Sequence, residues 1–315
     1  MTAPVVPIGV GATAAPARGG ALGVMGSLLR RPNGLAGIVI LAVFSVLALV
    51  PGLLVGPLET AVTATGGDFE PPSAAFPFGT DELGRSILNL TVHATRISMV
   101  IGLLATLVTV LIGAVLGIAS GYIGGRFDGL MMRIADFFLV LPTFVLAIIL
   151  TAIIRDVLDT GSMDIFGIRV NLLIIVVVIG ITSWSSTARI IRSQTLSLRE
   201  RAFVDRARVI GASSGHIMRK HILPNVMNLI VANAVLTFAG AILTETTLSF
   251  VGLGDPLQPS WGQLLEAART HSALGLGAWW YFVPAGSAVV LVVFAFTLLG
   301  AALDDILNPK LANRR

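Results

Sequence analysis

Few residues in this chain have both the type and the spacing to do chemistry. Gly211-Ala212-Ser213-Ser214-Gly215 has the Gly-x-Ser-x-Gly spacing of a nucleophilic serine. That chemistry requires a strand before the serine and a helix after it, whereas here both flanks are helical in pattern, so a turn between helices accounts for the same residues. His216 and His221 stand five apart, but two metal ligands on one helical face need a spacing of three or four. His93 and His271 are isolated, and cysteine is absent, which removes thiol nucleophiles, disulfides and cysteine metal sites. No Gly-x-x-x-x-Gly-Lys-Ser/Thr phosphate loop occurs, so ATP hydrolysis is not expected of this chain. No paired carboxylates or histidine cluster stand at catalytic spacing, which argues against a membrane-embedded enzyme.

Two carboxylates remain inside apolar runs. Asp136 follows Arg133 by three residues and reads as a local i, i+3 ion pair. Glu245, followed by Thr246 and Thr247, is a candidate for either structural pairing or lining a pathway. A transporter driven by an ion gradient would carry more such groups near its span centres, because they mark ion and proton routes.

The elements that must hold these residues are membrane helices. Mean hydropathy is +0.90, 55% of the 315 residues are apolar and 12% charged, more apolar surface than a soluble domain can use. A hydrocarbon core of about 30 Å is crossed by roughly 20 apolar residues at about 1.5 Å each. Six such runs are expected: 34–54, 97–118, 131–154, 170–184, 226–251 and 279–303. They must be helical, because lipid offers no partner to an unpaired amide and alternating strand patterns are absent. The fold class expected is therefore all-α, a polytopic membrane protein with six transmembrane helices.

The predicted order is a flexible cytoplasmic tail over residues 1–30, a first transmembrane helix over 31–56 and an extracytoplasmic loop with an interfacial helix over 57–96. A core transmembrane domain follows over 97–303, with a cytoplasmic segment at 199–224, and then a cytoplasmic tail over 304–315. In the loop, Thr80 is expected to cap the interfacial helix, with Asp81 and Glu82 in its first turn. Gly113, Gly117 and Gly121 place small residues on one face of the second span, where a neighbouring helix can approach closely. Pro142 and Pro284 should bend their spans or free a carbonyl. Trp184, Trp261, Trp279, Trp280 and Tyr281 fall near predicted span ends, as an aromatic belt would.

Charge sets the orientation. Sixteen of the 21 Lys and Arg residues lie on the side of the termini and of the connection after the fourth span. Only Arg85, Arg96, Arg155, Arg169 and Arg269 lie on the other, together with most of the acids. By the positive-inside rule both termini are cytoplasmic. The pI of 10.3 follows the same topology, so membrane lipid is the expected counter-charge and a nucleic-acid partner is not.

The densest charge lies in Arg199–Asn225, between the fourth and fifth spans. Ser197 and Glu200 have capping-box spacing, so a helix should start near Leu198 and close at Gly211. Phe203, Ala207 and Ile210 form its apolar stripe, while Arg201, Asp205, Arg206 and Arg208 face elsewhere. A second helical stretch follows the Ala212–Gly215 turn and should break at Pro224. The two would fold into a hairpin projecting from the membrane.

The spacing of this segment resembles the cytoplasmic signature of importer permeases of the ATP-binding-cassette class, an acidic residue and two alanines followed by a glycine and a Leu-Pro. Asp205, Arg206 and Ala207 hold the acid-Ala-Ala positions, with Arg206 where the pattern has alanine. Gly211 is the glycine, and Leu223 and Pro224 close the motif. Phe78 to Ser86, Ser120 to Gly125, Leu248 to Gly254 and Pro259 to Gly262 resemble the C-type permease subunit of dipeptide, oligopeptide and nickel importers.

The resemblance implies the type I importer permease fold and a non-catalytic subunit forming half of a pathway. It implies as partners a homologous B-type permease, two ATPase subunits that bind the ATP and magnesium, and an extracytoplasmic solute-binding protein. It also implies that Phe203, Val204, Asp205, Arg206, Ala207, Arg208, Gly211, Ala212, Leu223 and Pro224 belong to an element seated on an ATPase. Di- or oligopeptides are the cargo it implies first, with nickel or another small solute as the alternative, in a bacterial plasma membrane.

Overall fold

The computed structural model describes residues 21–158, 164–165 and 168–307, and the expected tails at 1–20 and from 308 onward lie outside the described residues. Ala21–Leu29, expected to belong to the flexible tail, forms helix α1. The stretch holds no proline, and Leu28 buries itself against a cluster with Ala302 and Leu303. Helix α2, Pro32–Leu49, starts on a proline, whose missing N–H costs nothing in a first turn. It stops at Val50 because Pro51 cannot continue the ladder, and a short helix α3, Pro51–Val55, follows. The first span is thus broken once within the range expected for it.

Helix α4, Ile87–Ile123, is the spine of the fold. Its 37 residues would extend about 55 Å at ~1.5 Å each, so the expected interfacial helix and second span are one element. It begins later than predicted. Ser86, not Thr80, caps it by accepting from the Asn89 amide. Thr80 is wholly buried, donating to the Gly67 carbonyl at 2.6 Å and accepting from the Glu70 amide at 2.7 Å. Asp81 collects the amides of Leu83 and Arg85 and the Arg85 guanidinium. A carboxylate that satisfies nearby amides favours a loop over a helix, and Gly84 at φ +73 ends any helical continuation.

The third span divides into α5, Gly125–Val140, and α6, Thr143–Leu158, inclined at 93° across Leu141–Pro142. A bend was expected at Pro142; the chain turns a right angle instead. A two-residue hairpin, β1 (Asp164–Ile165) with β2 (Ile168–Arg169), leads to α7, Val170–Arg199. This helix runs far past Trp184, where the fourth span was expected to end. Helices α8 (Ala202–Val209) and α9 (Ser214–Ile217), a π turn (Met218–Ile222) and α10 (Leu223–Leu248) follow. A second π turn (Ser249–Leu253), α11 (Trp261–Thr270) and α12 (Trp279–Leu307) complete the described chain. Among the described residues, five helices are long and apolar enough to cross a membrane, and the bent pair α5–α6 brings the number to six.

Helix α4 threads three successive cores. Ile87, Leu90 and Ala94 pack with Phe44, Trp261 and Tyr281, Ile101 and Ala105 with Ile175 and Ile179 of α7, and Val110 to Tyr122 with Ile191, Val204 and Ile222. Three of the residues expected in an aromatic belt are core instead. Trp261 and Tyr281 are fully buried and Trp184 nearly so, with Phe44 edge-on to Trp261 at 5.7 Å and Phe138 against Trp184 at 5.8 Å. Trp279 is exposed, as a belt residue should be.

The glycine face of α4 lies against α7. A Cβ on Gly113 would stand 2.6 Å from Thr187 Cβ, on Gly117 2.6 Å from the Ala188 carbonyl, and on Gly121 2.7 Å from Thr195 Cβ. Gly180 makes the reciprocal approach from α7, where a Cβ would meet Val108 at 2.3 Å. Two ion pairs brace α5 to α7. Arg192 donates to Asp128 through Nε and Nη2 at 2.5 and 2.6 Å, and Asp136 pairs with Arg189 rather than with Arg133 as expected.

Candidate functional site

The charged segment between α7 and α10 folds as a compact hairpin at the end of the helix bundle. The helix expected to start near Leu198 instead begins after a break at Glu200, because α7 runs on to Arg199 without interruption. On α8, Val204 and Ala207 are buried against Ile217, Ile222 and Tyr122. Phe203 packs at the edge of that cluster, its ring 6.3 Å from His221. Asp205 accepts from Arg208 at 3.0 Å, and the Arg208 guanidinium lies over the Tyr122 ring at 5.4 Å. Contact with the Tyr122 side chain is the main cause that raises the Arg208 pKa above its already high ordinary value, so this cation persists at every physiological pH. Arg206 points to solvent and reaches only the Ala202 carbonyl of its own helix.

The helix closes as a Schellman turn. The Gly211 amide donates to the Arg208 carbonyl and the Ala212 amide to the Ala207 carbonyl, with Gly211 at φ +83. The closure turns Ile210 outward, correcting the stripe expected from Phe203, Ala207 and Ile210. Val204 takes the buried position, whereas Val209 and Ile210 are 86% and 83% exposed. Ser213 of the Gly-x-Ser-x-Gly sequence caps α9 by accepting from the His216 amide. His216 and His221 lie with ring centres 6.0 Å apart, and no group of three metal-ligating side chains exists among the described residues.

Pro224 does not break the chain. The π turn widens the ladder so that the Leu223 amide reaches back to the Met218 carbonyl, and the imide of Pro224 falls in the first turn of α10, where no donor is needed. Leu223 contacts the hairpin core and Pro224 faces outward. The second arm of the hairpin therefore continues into α10 as one helical body from Ser214 to Val251, ending at the kink of Gly252 (φ +91).

Glu245 lies apart from this segment, toward the other end of α10. It is fully buried and accepts from Ser249 Oγ at 2.9 Å and Ser98 Oγ at 3.3 Å, while Ser98 Oγ accepts in turn from the Trp261 amide at 3.1 Å. One carboxylate thus ties α4, α10 and the start of α11 together. Sequence singled out Glu245 but not its partners. Ser98 and Ser249 are ordinary serines in apolar surroundings, and only the fold brings them to one point. Gly262, where a Cβ would stand 2.4 Å from the Thr246 carbonyl, was missed for the same reason.

Residues 113–313 match the family described as the binding-protein-dependent transport system inner membrane component. The chain belongs to that family. Its matched region takes in α7, the hairpin, Glu245 and all three α4 glycines of the α7 contact. The permease is 34% identical to the dipeptide transport system permease protein DppC of Bacillus subtilis over 278 residues, covering 88% of this chain and 82% of that protein. It is 38% identical over 243 residues to the oligopeptide transport system permease protein OppC of the same organism, covering 77% and 74%. It is 37% identical over 235 residues to the OppC of Haemophilus influenzae, covering 74% and 70%. The all-α, multi-pass architecture is accordingly that of a type I importer permease.

Proposed function

We propose that this chain is a non-catalytic permease subunit of an ATP-driven peptide importer, and that its hairpin is the element through which cytoplasmic ATPases move it. The observation that carries the reading is the hairpin's tip. Val209 and Ile210 stand almost fully exposed beside a rigid Schellman turn, on a base of buried Val204, Ala207, Ile217 and Ile222. Exposed apolar residues on a well-packed projection suit a socket on another protein. Arg201, Arg206 and Arg208 around them suit an acidic rim. The continuous helix from hairpin to α10 gives such a contact a mechanical route into the bundle. Peptide cargo is supported by the names of the relatives, which are dipeptide and oligopeptide permeases.

In this reading a homologous B-type permease completes the pathway, two ATPase subunits bind ATP and magnesium, and a solute-binding protein delivers cargo from outside. The hairpin and both termini face the cytoplasm in this reading, which the distribution of Lys and Arg supports. Co-purification in mild detergent tests the assembly, with one homologous permease and two ATPase chains as expected companions. A stable, active homodimer without ATPases would defeat it.

Gly211 tests the coupling. Nothing lies within 4 Å of a Cβ built there, so a larger residue acts through backbone strain alone, about 1–2 kcal/mol for a residue that avoids the left-handed region. Gly211→Val should distort the tip and separate ATP hydrolysis from uptake, whereas Gly211→Asn, which tolerates that conformation, should retain most transport. Equal, binding-protein-stimulated uptake by wild type and Gly211→Val would refute the role given to the turn.

A further inference from the structure

Five arginines lie on the side opposite the hairpin, and four of them are engaged. Arg85 is held by Asp81, Arg169 by Asp164, Arg269 by Glu266, and Arg155 donates to the Asn171 carbonyl. Arg96 has no hydrogen bond or ion pair among the described residues, and its side chain lines a cleft of about 420 Å³. The cleft lies between α4, Ile168 of β2, the start of α7 and the loop at Leu257–Pro259. No carboxylate lines it among the described residues. His93, one turn before Arg96, donates from Nε2 to the Gly56 carbonyl at 3.0 Å, which engages that nitrogen. Ile97, Val100, Ile101 and Leu172 supply aliphatic wall, and Gln258 adds a polar side chain to the lining.

The position of Arg96 on its helix gives the cleft a direction. Arg96 immediately precedes the apolar run at 97–118. Leu103 and Leu107, seven and eleven residues on, lie within about 20° of the same line on the helix, and both are more than half exposed. The cleft therefore opens onto an uncovered apolar track that leads along α4 into the membrane-spanning region. A guanidinium that faced lipid would reach outward to headgroups. This one is exposed, and it stands in the wall of the cleft beside other segments of its own chain.

We infer that this cleft receives the carboxylate of incoming cargo, with Arg96 as the anchor and the aliphatic walls taking the neighbouring side chain. The ligand class is a short peptide with a free C-terminal carboxylate. The inference rests on the peptide reading above and adds to it a named contact at the outer entrance. Arg96 would bind the carboxylate by a fork of N–H donors, a geometry that lysine reproduces only as a point charge.

The test uses the complete transporter in proteoliposomes, with trialanine and trialanine C-terminal amide as probes, each delivered by a saturated binding protein. Wild type should take up the free acid about tenfold faster than the amide, the difference expected of one charge-assisted contact. Arg96→Gln should bring the free acid down to the rate of the amide, and Arg96→Lys should recover most of the difference. Three results would overturn the inference: equal loss of both peptides in Arg96→Gln, which points to docking of the binding protein; a loss that varies with the anionic lipid content of the vesicles; or no discrimination by wild type. Wild-type protein that moves neither peptide would instead bring down the peptide reading itself, and this inference with it.

Discussion

The contact between α4 and α7 makes a quantitative prediction at Gly117. A Cβ added there stands 2.6 Å from the Ala188 carbonyl oxygen and 3.0 Å from Ile191 Cβ, where ordinary contact begins at 3.4 Å. The oxygen is main chain in the interior of a helix, so it cannot rotate away, and α4 and α7 must part by about 0.8 Å. Parting also loosens the contacts at Gly113 and Gly121, because all three lie on one rigid face. Overpacking of this kind costs about 1–3 kcal/mol, while alanine returns up to about 1 kcal/mol of helix propensity. Gly117→Ala should therefore destabilise the purified protein by roughly 1–2 kcal/mol, measured by far-ultraviolet dichroism during titration with SDS in mixed micelles. Gly129→Ala is the control. It lies inside α5 with nothing within 4 Å of its Cβ, so only the propensity gain applies. Equal stability of Gly117→Ala and Gly129→Ala would refute the argument that backbone proximity sets the requirement for glycine.

Two further outcomes are expected by the same assay. Glu245→Ala should cost about 2–4 kcal/mol, because it strands the Ser98 and Ser249 hydroxyls in a dry site, while Glu245→Gln, which keeps acceptor and shape, should cost less than half as much; equal costs would show that the carboxamide cannot hold the three elements together. A double-mutant cycle on Arg192→Ala and Asp128→Ala should give a coupling of about 1–2 kcal/mol for this two-pronged, partly buried pair, and strict additivity would exclude it as a brace between α5 and α7.

Hydropathy made the spans legible, since a lipid environment leaves few other uses for runs of twenty apolar residues. Local rules worked where the determinant is local: Gly211 takes the left-handed conformation its place at a helix end implied. They failed where a distant segment decides. Trp261 and Tyr281 have the composition of a belt, yet Phe44 and the loop before α4 cover them, and no feature of their own neighbourhood announces this. Thr80 and Asp81 read as a helix start but serve a folded loop, with Trp280 donating to the Thr80 carbonyl from 200 positions away. Pro224 was expected to break a helix, and the preceding π turn absorbs it. A wide turn has no sequence signature in the rules of helix capping, so its effect on register was invisible. The right angle at Pro142 exceeds what proline alone imposes and reflects how α6 lies across α7.

No joint separates the second arm of the hairpin from α10, which makes the two one rod. The helix from Ser214 to Val251, which stops at the non-helical Gly252 (φ +91), would span roughly 57 Å at ~1.5 Å each, so rocking it about one end by about 5° swings the other by about 5 Å. That stroke equals the width of an extended peptide strand in a sheet, about 4.8 Å. In the coupling proposed above, a modest tilt imposed at the hairpin would become a displacement of strand width at the far end of the helix.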